Sequence, residues 1–271
     1  MAITFPNIDP VAIHLGPLAI HWYALAYLSG FLIGWWVAKY VCRLDQNKFR
    51  PNEDDIDDFM SWAILSILLG GRLGYILFYN LPHYMEYPLD VFKLWQGGMS
   101  FHGALIGVIL VCILYSRKKK VSLLRLADLF AVSAPVGFFF GRIANFINGE
   151  LFGRPTDVPW GVIFPNGGPE PRHASQLYEA ALEGLFMFTV LFSLSHINRV
   201  RNCPGLLSAG FLFIYGASRF IIEFFRQPDP QLGLFFDTFS MGQLLCLPMI
   251  LGAGVMVMIA RIVQKKGLAR V

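Results

Sequence analysis

The sequence predicts an all-α polytopic membrane protein with about seven transmembrane helices, its N-terminus outside and its C-terminus in the cytoplasm. Three observations carry this. The 271 residues are 55% hydrophobic and only 15% charged, whereas a soluble domain carries about 25% charged residues. The apolar residues come in runs of about 20, the length of a membrane-spanning helix, not in the short alternating segments of a transmembrane barrel. Lys and Arg crowd into alternate connections, as the positive-inside bias requires. One integral membrane domain is expected over residues 1–271, with a loop or lid insertion at about 148–175. The formal charge of +4 is spread among loops and makes no case for nucleic acid. Of the cysteines Cys42, Cys112, Cys203 and Cys246, none falls in an outer loop, so no disulfide is expected. Their spacing suggests no metal. Residues 1–16 lack a basic segment, and the run that follows is long enough to span, so no cleaved signal peptide is expected.

In chain order the runs fall at about 17–38, 59–79, 99–116, 125–147, 176–195, 206–225 and 241–262. The first carries His21 and Tyr23 at its start. The connection after it holds Lys39, Arg43, Lys48 and Arg50, then an acidic stretch from Glu53 to Asp58 that suits a helix N-terminus. The second run contains Arg72. The third opens with GGMSFHG around His102 and leads into Arg117, Lys118, Lys119, Lys120 and Arg125. The fourth carries Asp128 near its start and Arg142 and Asn145 near its end, before the Gly- and Pro-rich outer loop with Asn148, Glu150, Gly153 and Arg154. Glu179 and Glu183 open the fifth, and Arg199 and Arg201 follow it. Arg219 and Glu223 lie one turn apart in the sixth, with Arg226 at its exit. Arg261, Lys265, Lys266 and Arg270 close the chain, whereas the outer side holds only Lys93, Arg154, Arg172 and Arg226. Trp95 and Trp160 read as interfacial anchors or loop packing.

With that orientation, Arg72, Arg142 and Arg219 all fall in the outer half of the bilayer, as do His21, Tyr23, His102 and Glu223. An arginine at such depth is costly unless it lines a cavity or meets an anion. Guanidinium binds phosphate bidentately, and the anion most available there is a lipid headgroup. His102 is a candidate base. Several alternatives stay open. Arg72 also fits a snorkelling or structural pair, Glu223 a simple counter-ion, His102 and His21 packing, and Asp128 a helix-start charge. Glu179 and Glu183 either pair with the arginines or close a helix face. The residues alone reach an outer-leaflet site for an anionic lipid, catalytic or transporting. Transport would want polar lining on both sides of the midplane, where only Asp128 lies deep on the inner side, and no internal repeat is visible.

The stretch GRIANFINGELFGRPTD at 141–157 resembles the signature of the bacterial prolipoprotein diacylglyceryl transferases. HWYALAY at 21–27, GGRLGYILFYN at 70–80, GGMSFHGALIG at 97–107, RHASQLYEA at 172–180, YGASRFIIEFFRQPD at 215–229 and SMGQLLCLPM at 240–249 resemble that family's blocks in its order. The resemblance covers nearly the whole chain, although the loop between Gly153 and Arg172 looks shorter than in some members. It implies an enzyme of the bacterial inner membrane, N-terminus and active site periplasmic, C-terminus cytoplasmic. Such an enzyme moves the diacylglyceryl group of phosphatidylglycerol to the lipobox cysteine of a prolipoprotein signal peptide and releases glycerol phosphate, with no cofactor or metal. By resemblance, Arg142 and Asn145 match essential signature positions, and Glu150 and Gly153 match two further important ones. His102 matches the histidine of the HGG-like block, where Ala104 stands in place of glycine. Tyr23 matches the first-span tyrosine, and Arg219 and Glu223 match the sixth-span pair. The expectation is that His102, Arg142 and Arg219 are catalytic and that Tyr23, Asn145, Glu150, Gly153, Glu223, Arg72 and Arg226 bind substrate. His102 would be the base, or an arginine-rich field alone would lower the thiol pKa; both assignments stay open.

Overall fold

The structure, a computed structural model, describes residues 2–265 apart from 7, 17, 47–49, 94, 96, 228–233 and 236–238. Lys48, Lys266 and Arg270 of the charge bias, and Pro228 and Asp229 of the 215–229 block, therefore lie outside the described residues. The described chain is mostly helical. Strands β1 (Ile3–Thr4), β2 (Val11–Leu15) and β3 (Leu18–His21) precede α1 (Trp22–Leu44) and α2 (Glu53–Tyr79). A short α3 (Leu81–Glu86) and a 3-10 turn at Pro88–Phe92 lead to α4 (Phe101–Lys119) and α5 (Leu123–Ile147). After β4 (Val162–Ile163) comes one continuous helix, made of α6 (Ser175–Glu179), a π-helical stretch at Ala180–Phe186 and α7 (Met187–Ser195). The chain then forms α8 (Asn198–Arg201), α9 (Leu206–Ile222), the paired strands β5 (Leu234–Phe235) and β6 (Phe239–Ser240), and α10 (Met241–Lys265).

Among the described residues, five helices are long and apolar enough to cross a membrane: α1, α2, α5, the helix Ser175–Ser195 and α10. α9 is apolar but only 17 residues long. α4 ends on Arg117, Lys118 and Lys119. Leu245, Leu251, Val255, Met258 and Ile262 stand exposed along α10. Lipid tails are as apolar as these side chains and can cover them.

Helix starts differ from the hydropathy reading where polar groups decide them. The first run begins at Trp22, not near 17, because β2 and β3 pair as an antiparallel hairpin just before it. The second begins at Glu53, not near 59. Asn52 Oδ1 accepts from the Asp55 amide at 3.0 Å, and the Asp55 carboxylate accepts from the Asn52 amide at 3.0 Å. This is a reciprocal capping box. Arg50 pairs with Asp55, and Lys119 Nζ lies 2.6 Å from Asp58.

The chain divides into two compact units, one formed by residues 1–41 and 128 onward, the other by 42–127. In the second, α2 and α4 pack backbone to backbone through Gly70, Gly74, Gly103 and Gly107. A Cβ on Gly70 would stand 2.5 Å from the Gly103 carbonyl, so only glycine permits this approach.

In the first unit, Asp128 caps α9. It accepts from the amides of Gly205 and Ser208, each at 2.7 Å, and from the Ser208 hydroxyl at 2.6 Å. The segment at 148–175 has a core of its own. Val162, Phe164 and Ala174 are buried, with Phe5, Phe146, Phe152 and Leu177 packed on them. β1 pairs with β4 in parallel, Ile3 opposite Val162. The segment at 148–175 is therefore packed structure fastened to the N-terminal strand.

Candidate functional site

The site is built where α5, the α6–π–α7 helix and α9 of the first unit end or bend. Arg142 and Asn145 are three residues apart on α5 and share a face. Arg142 Nη1 donates to Asn145 Oδ1 at 3.4 Å. Asn145 Nδ2 donates to Glu150 Oε1 at 2.8 Å, and Asn148 Nδ2 to the same oxygen at 3.4 Å. Gln176, fully buried, holds the Glu150 carbonyl. The Tyr23 hydroxyl lies 3.0 Å from that of Tyr27, and Asn145 and Glu150 are close enough to act on it electrostatically. Arg142, Asn145 and Glu150 form one chain of hydrogen bonds, with Tyr23 beside it.

Behind them stand two glutamates that the sequence left undecided. Glu179 and Glu183 are each 1% exposed. Arg142 Nε stands 2.5 Å from Glu179 Oε2, but off the N–H direction, so the contact is an ion pair without an aligned hydrogen bond. Arg219 Nη1 lies 3.6 Å from Glu179 and 3.7 Å from Glu183. Arg226 Nη1 donates to Glu179 Oε1 at 3.0 Å. Glu223 closes the cluster. It takes Arg219 Nη2 at 2.7 Å and Arg226 Nε at 3.7 Å, and accepts from the Ser240 hydroxyl at 2.7 Å. A side chain at Gly242 would run into that carboxylate.

Arg142, Arg219 and Arg226 therefore face the carboxyl groups of Glu179, Glu183 and Glu223, three against three. Only part of each guanidinium side chain is open: 23% for Arg142, 15% for Arg219 and 18% for Arg226. The cluster is a frame in which each guanidinium has carboxyl partners and keeps part of its edge exposed. It can still bind an anion, because a guanidinium has five donors and an ion pair uses one or two.

Gly153 acts through its backbone. Its amide donates to the His173 carbonyl at 2.8 Å, and the next amide, of Arg154, to the Phe225 carbonyl at 2.9 Å. A Cβ at position 153 would overlap the Phe225 carbonyl and His173. The glycine thus lets the segment at 148–175 lie against the end of α9, next to Arg226. His173 packs on Phe225 and Tyr178, and burial lowers its pKa below the usual histidine value.

Arg72 and His102 belong to the other unit. His102 is exposed in the first turn of α4. Arg72 is 4% exposed and donates to the carbonyls of Asp90, Val91, Lys93, Gly97 and Gly98, with its guanidinium 5.2 Å from the centre of the Tyr84 ring. Loop carbonyls take up its donors, which is a loop-ordering arrangement. Among the described residues no group of three or more His, Cys, Asp or Glu side chains is placed to hold a metal ion.

Depth in the bilayer selects Arg72, Arg142, Arg219, His21, Tyr23, His102 and Glu223; the structure puts His21, Tyr23, Arg142, Arg219 and Glu223 in one unit with Asn145, Glu150, Gly153 and Arg226, and Arg72 and His102 in the other. Glu179, Glu183, Gln176 and Ser240 were outside the selected set. The available signal was the four-residue spacing of two glutamates in an apolar run.

A family model described as prolipoprotein diacylglyceryl transferase matches residues 10–259. A Rhodospirillum rubrum protein named phosphatidylglycerol–prolipoprotein diacylglyceryl transferase is 52% identical over 264 residues, 96% of this chain and 95% of its own. Proteins of the same name from Azospirillum brasilense and Mesorhizobium japonicum are 53% and 50% identical, and the alignments cover 93% and 95% of this chain and 94% and 92% of theirs.

Proposed function

Because the chain belongs to the prolipoprotein diacylglyceryl transferase family, we propose that it transfers the diacylglyceryl group of phosphatidylglycerol to the lipobox cysteine of a prolipoprotein signal peptide. The cysteine sulfur attacks the glyceryl carbon that carries the phosphate ester. A C–S bond forms, the C–O bond breaks, and glycerol phosphate leaves with the electron pair. The thiol proton goes to a base or to solvent. A free thiol with pKa near ~8.5 is mostly protonated at neutral pH, so either a base or a positive field must favour the thiolate.

The observation that carries the reading is the arginine frame. Arg142 and Arg219 project from two helices beside a third arginine, Arg226, with their outer edges open. They would bind the headgroup phosphate and stabilise the charge that grows on it as the ester bond breaks. Asn145 and Tyr23 would orient headgroup oxygens. Glu150 and Glu223 would hold Asn145 and Arg219 in place, and Gly153 would keep the outer loop docked. Arg72 would act by ordering its loop. His102 is the candidate base, and its part is tested separately. The setting is one membrane domain of the bacterial inner membrane with seven crossings, the N-terminus and the active site periplasmic and the C-terminus cytoplasmic. The bias of Lys and Arg supports that orientation.

The test is an assay with purified protein, phosphatidylglycerol vesicles and a lipobox peptide. A mass gain on the peptide cysteine with release of glycerol phosphate is the expected result. Binding of phosphatidylglycerol without any lipidation would point instead to a lipid-transport role. In His102→Gln, loss of rate that higher pH partly restores assigns the base, and full activity removes that role.

A further inference from the structure

Among the described residues, Glu179 is the one carboxylate within 4 Å of all three guanidiniums, at 2.5 Å from Arg142, 3.6 Å from Arg219 and 3.0 Å from Arg226. Glu183 reaches Arg142 and Arg219 only at 3.9 and 3.7 Å. Glu223 reaches Arg219 and Arg226. The three arginines come from different places: Arg142 from α5, Arg219 from α9 and Arg226 from beyond its end. Nothing covalent fixes their mutual spacing, and long arginine side chains are rich in rotamers.

The surroundings of Glu179 are built for rigidity. Its side chain is 1% exposed, and the helix turns π-helical at the next residue, Ala180. Such turns are rare and frequent at functional sites. Gly184 in that stretch lies so close to Phe139 of α5 that a Cβ would stand 2.8 Å from the Phe139 Cα. The glutamate is therefore held on a helix pressed against the one that carries Arg142.

We propose that Glu179 is a positioning residue for the transfer reaction: the shared counter-ion that sets the spacing of Arg142, Arg219 and Arg226 around the headgroup phosphate. This rests on the transferase reading above. A counter-ion in an anion site has two opposed effects. Its negative charge weakens attraction for the arriving phosphate. Its fixed position keeps the donors where the departing phosphate needs them, and donors placed in advance need no reorganisation as the bond breaks. Removing the charge while keeping the shape should thus separate binding from turnover.

Glu179→Gln keeps the volume and removes the charge, and Glu179→Asp keeps the charge but shortens the reach. Both are assayed beside wild type with phosphatidylglycerol vesicles and a lipobox peptide, together with melting curves in detergent. Expected for Glu179→Gln is an unchanged or lower KM for phosphatidylglycerol and a kcat reduced about 100-fold, the scale of an ångström-level misplacement. Glu179→Asp should fall between it and wild type. The inference is overturned by a Glu179→Gln kcat within about threefold of wild type, taken as too small for a misplaced donor. A raised KM with kcat intact also overturns it, since the residue would then serve binding alone. So does failure of both variants to fold, which would make Glu179 a fold determinant only. Failure of wild type to lipidate the peptide is seen before any variant is measured, and removes the transferase reading together with this inference.

Discussion

Arg72 and Arg142 are both arginines in the later half of an apolar helix, and depth along the helix does not separate them. Their surroundings differ in kind. Arg72 spends its donors on carbonyls of one loop and remains a buried cation without a carboxylate partner among the contacts described. Arg142 meets the buried carboxylates of Glu179 and Glu183, yet 23% of its side chain stays open. The first arrangement uses up the guanidinium to order backbone. The second neutralises it and leaves an edge for a ligand. Depth in the bilayer says that an arginine is costly; only its partners say whether the cost is met by structure or kept for chemistry.

The contrast is broken or sharpened first by activity. Arg142→Ala should lower kcat/KM by about 10³-fold, the upper scale for removing one preorganised donor of developing charge. The melting temperature in detergent should fall as well, because Glu179 and Glu183 lose a partner for their buried carboxyl groups, so the rate is read below the melting transition of the variant. A wild-type rate in this variant would end the contrast at once. Arg72→Lys should lose stability while keeping its turnover. A lysine keeps the charge but cannot reach carbonyls spread over Asp90–Gly98, so stability should fall by about 3 kcal/mol. Hydrogen exchange or proteolysis should rise within residues 90–98. If Arg72→Lys instead melts like wild type and loses phosphatidylglycerol binding, Arg72 is a ligand and the two regions are alike after all.

This difference also marks how far the sequence could be read. Seven apolar runs were visible because a helix must carry about 20 apolar residues to span. Their starts were not, because the Asn52–Asp55 cap and the hairpin at residues 11–21 are polar or alternating, and hydropathy is blind to both. Arg142 with Asn145, and Arg219 with Glu223, were legible from helical spacing. Glu179 was visible as an acidic residue in an apolar run. That it would meet arginines from two other segments depends on tertiary packing, which spacing within one helix does not encode.

Gly153 tests a backbone version of the same idea. Its amide and that of Arg154 donate to the carbonyls of His173 and Phe225, and a methyl group there would overlap the Phe225 carbonyl. Gly153→Ala should cost about 1–3 kcal/mol of stability, the usual scale of overpacking. Turnover should fall with it, because Arg226 follows directly on the strained contact. A stable, inactive Gly153→Ala would instead make the backbone at Gly153 itself a contact for substrate.

The smallest effect belongs to His173, which packs on Phe225 beside that same junction. Burial lowers its pKa below that of a free histidine, so the folded protein favours the neutral ring. Folding is therefore supported in full above the unfolded value, and the support is lost as pH falls through the lowered one. The melting temperature of wild type should drop more between pH 7 and about pH 5 than that of His173→Gln, which has no proton to gain. Identical pH profiles would show that protonation of His173 leaves the junction intact. In that case the loop is held by Gly153, Arg154 and the core around Phe164.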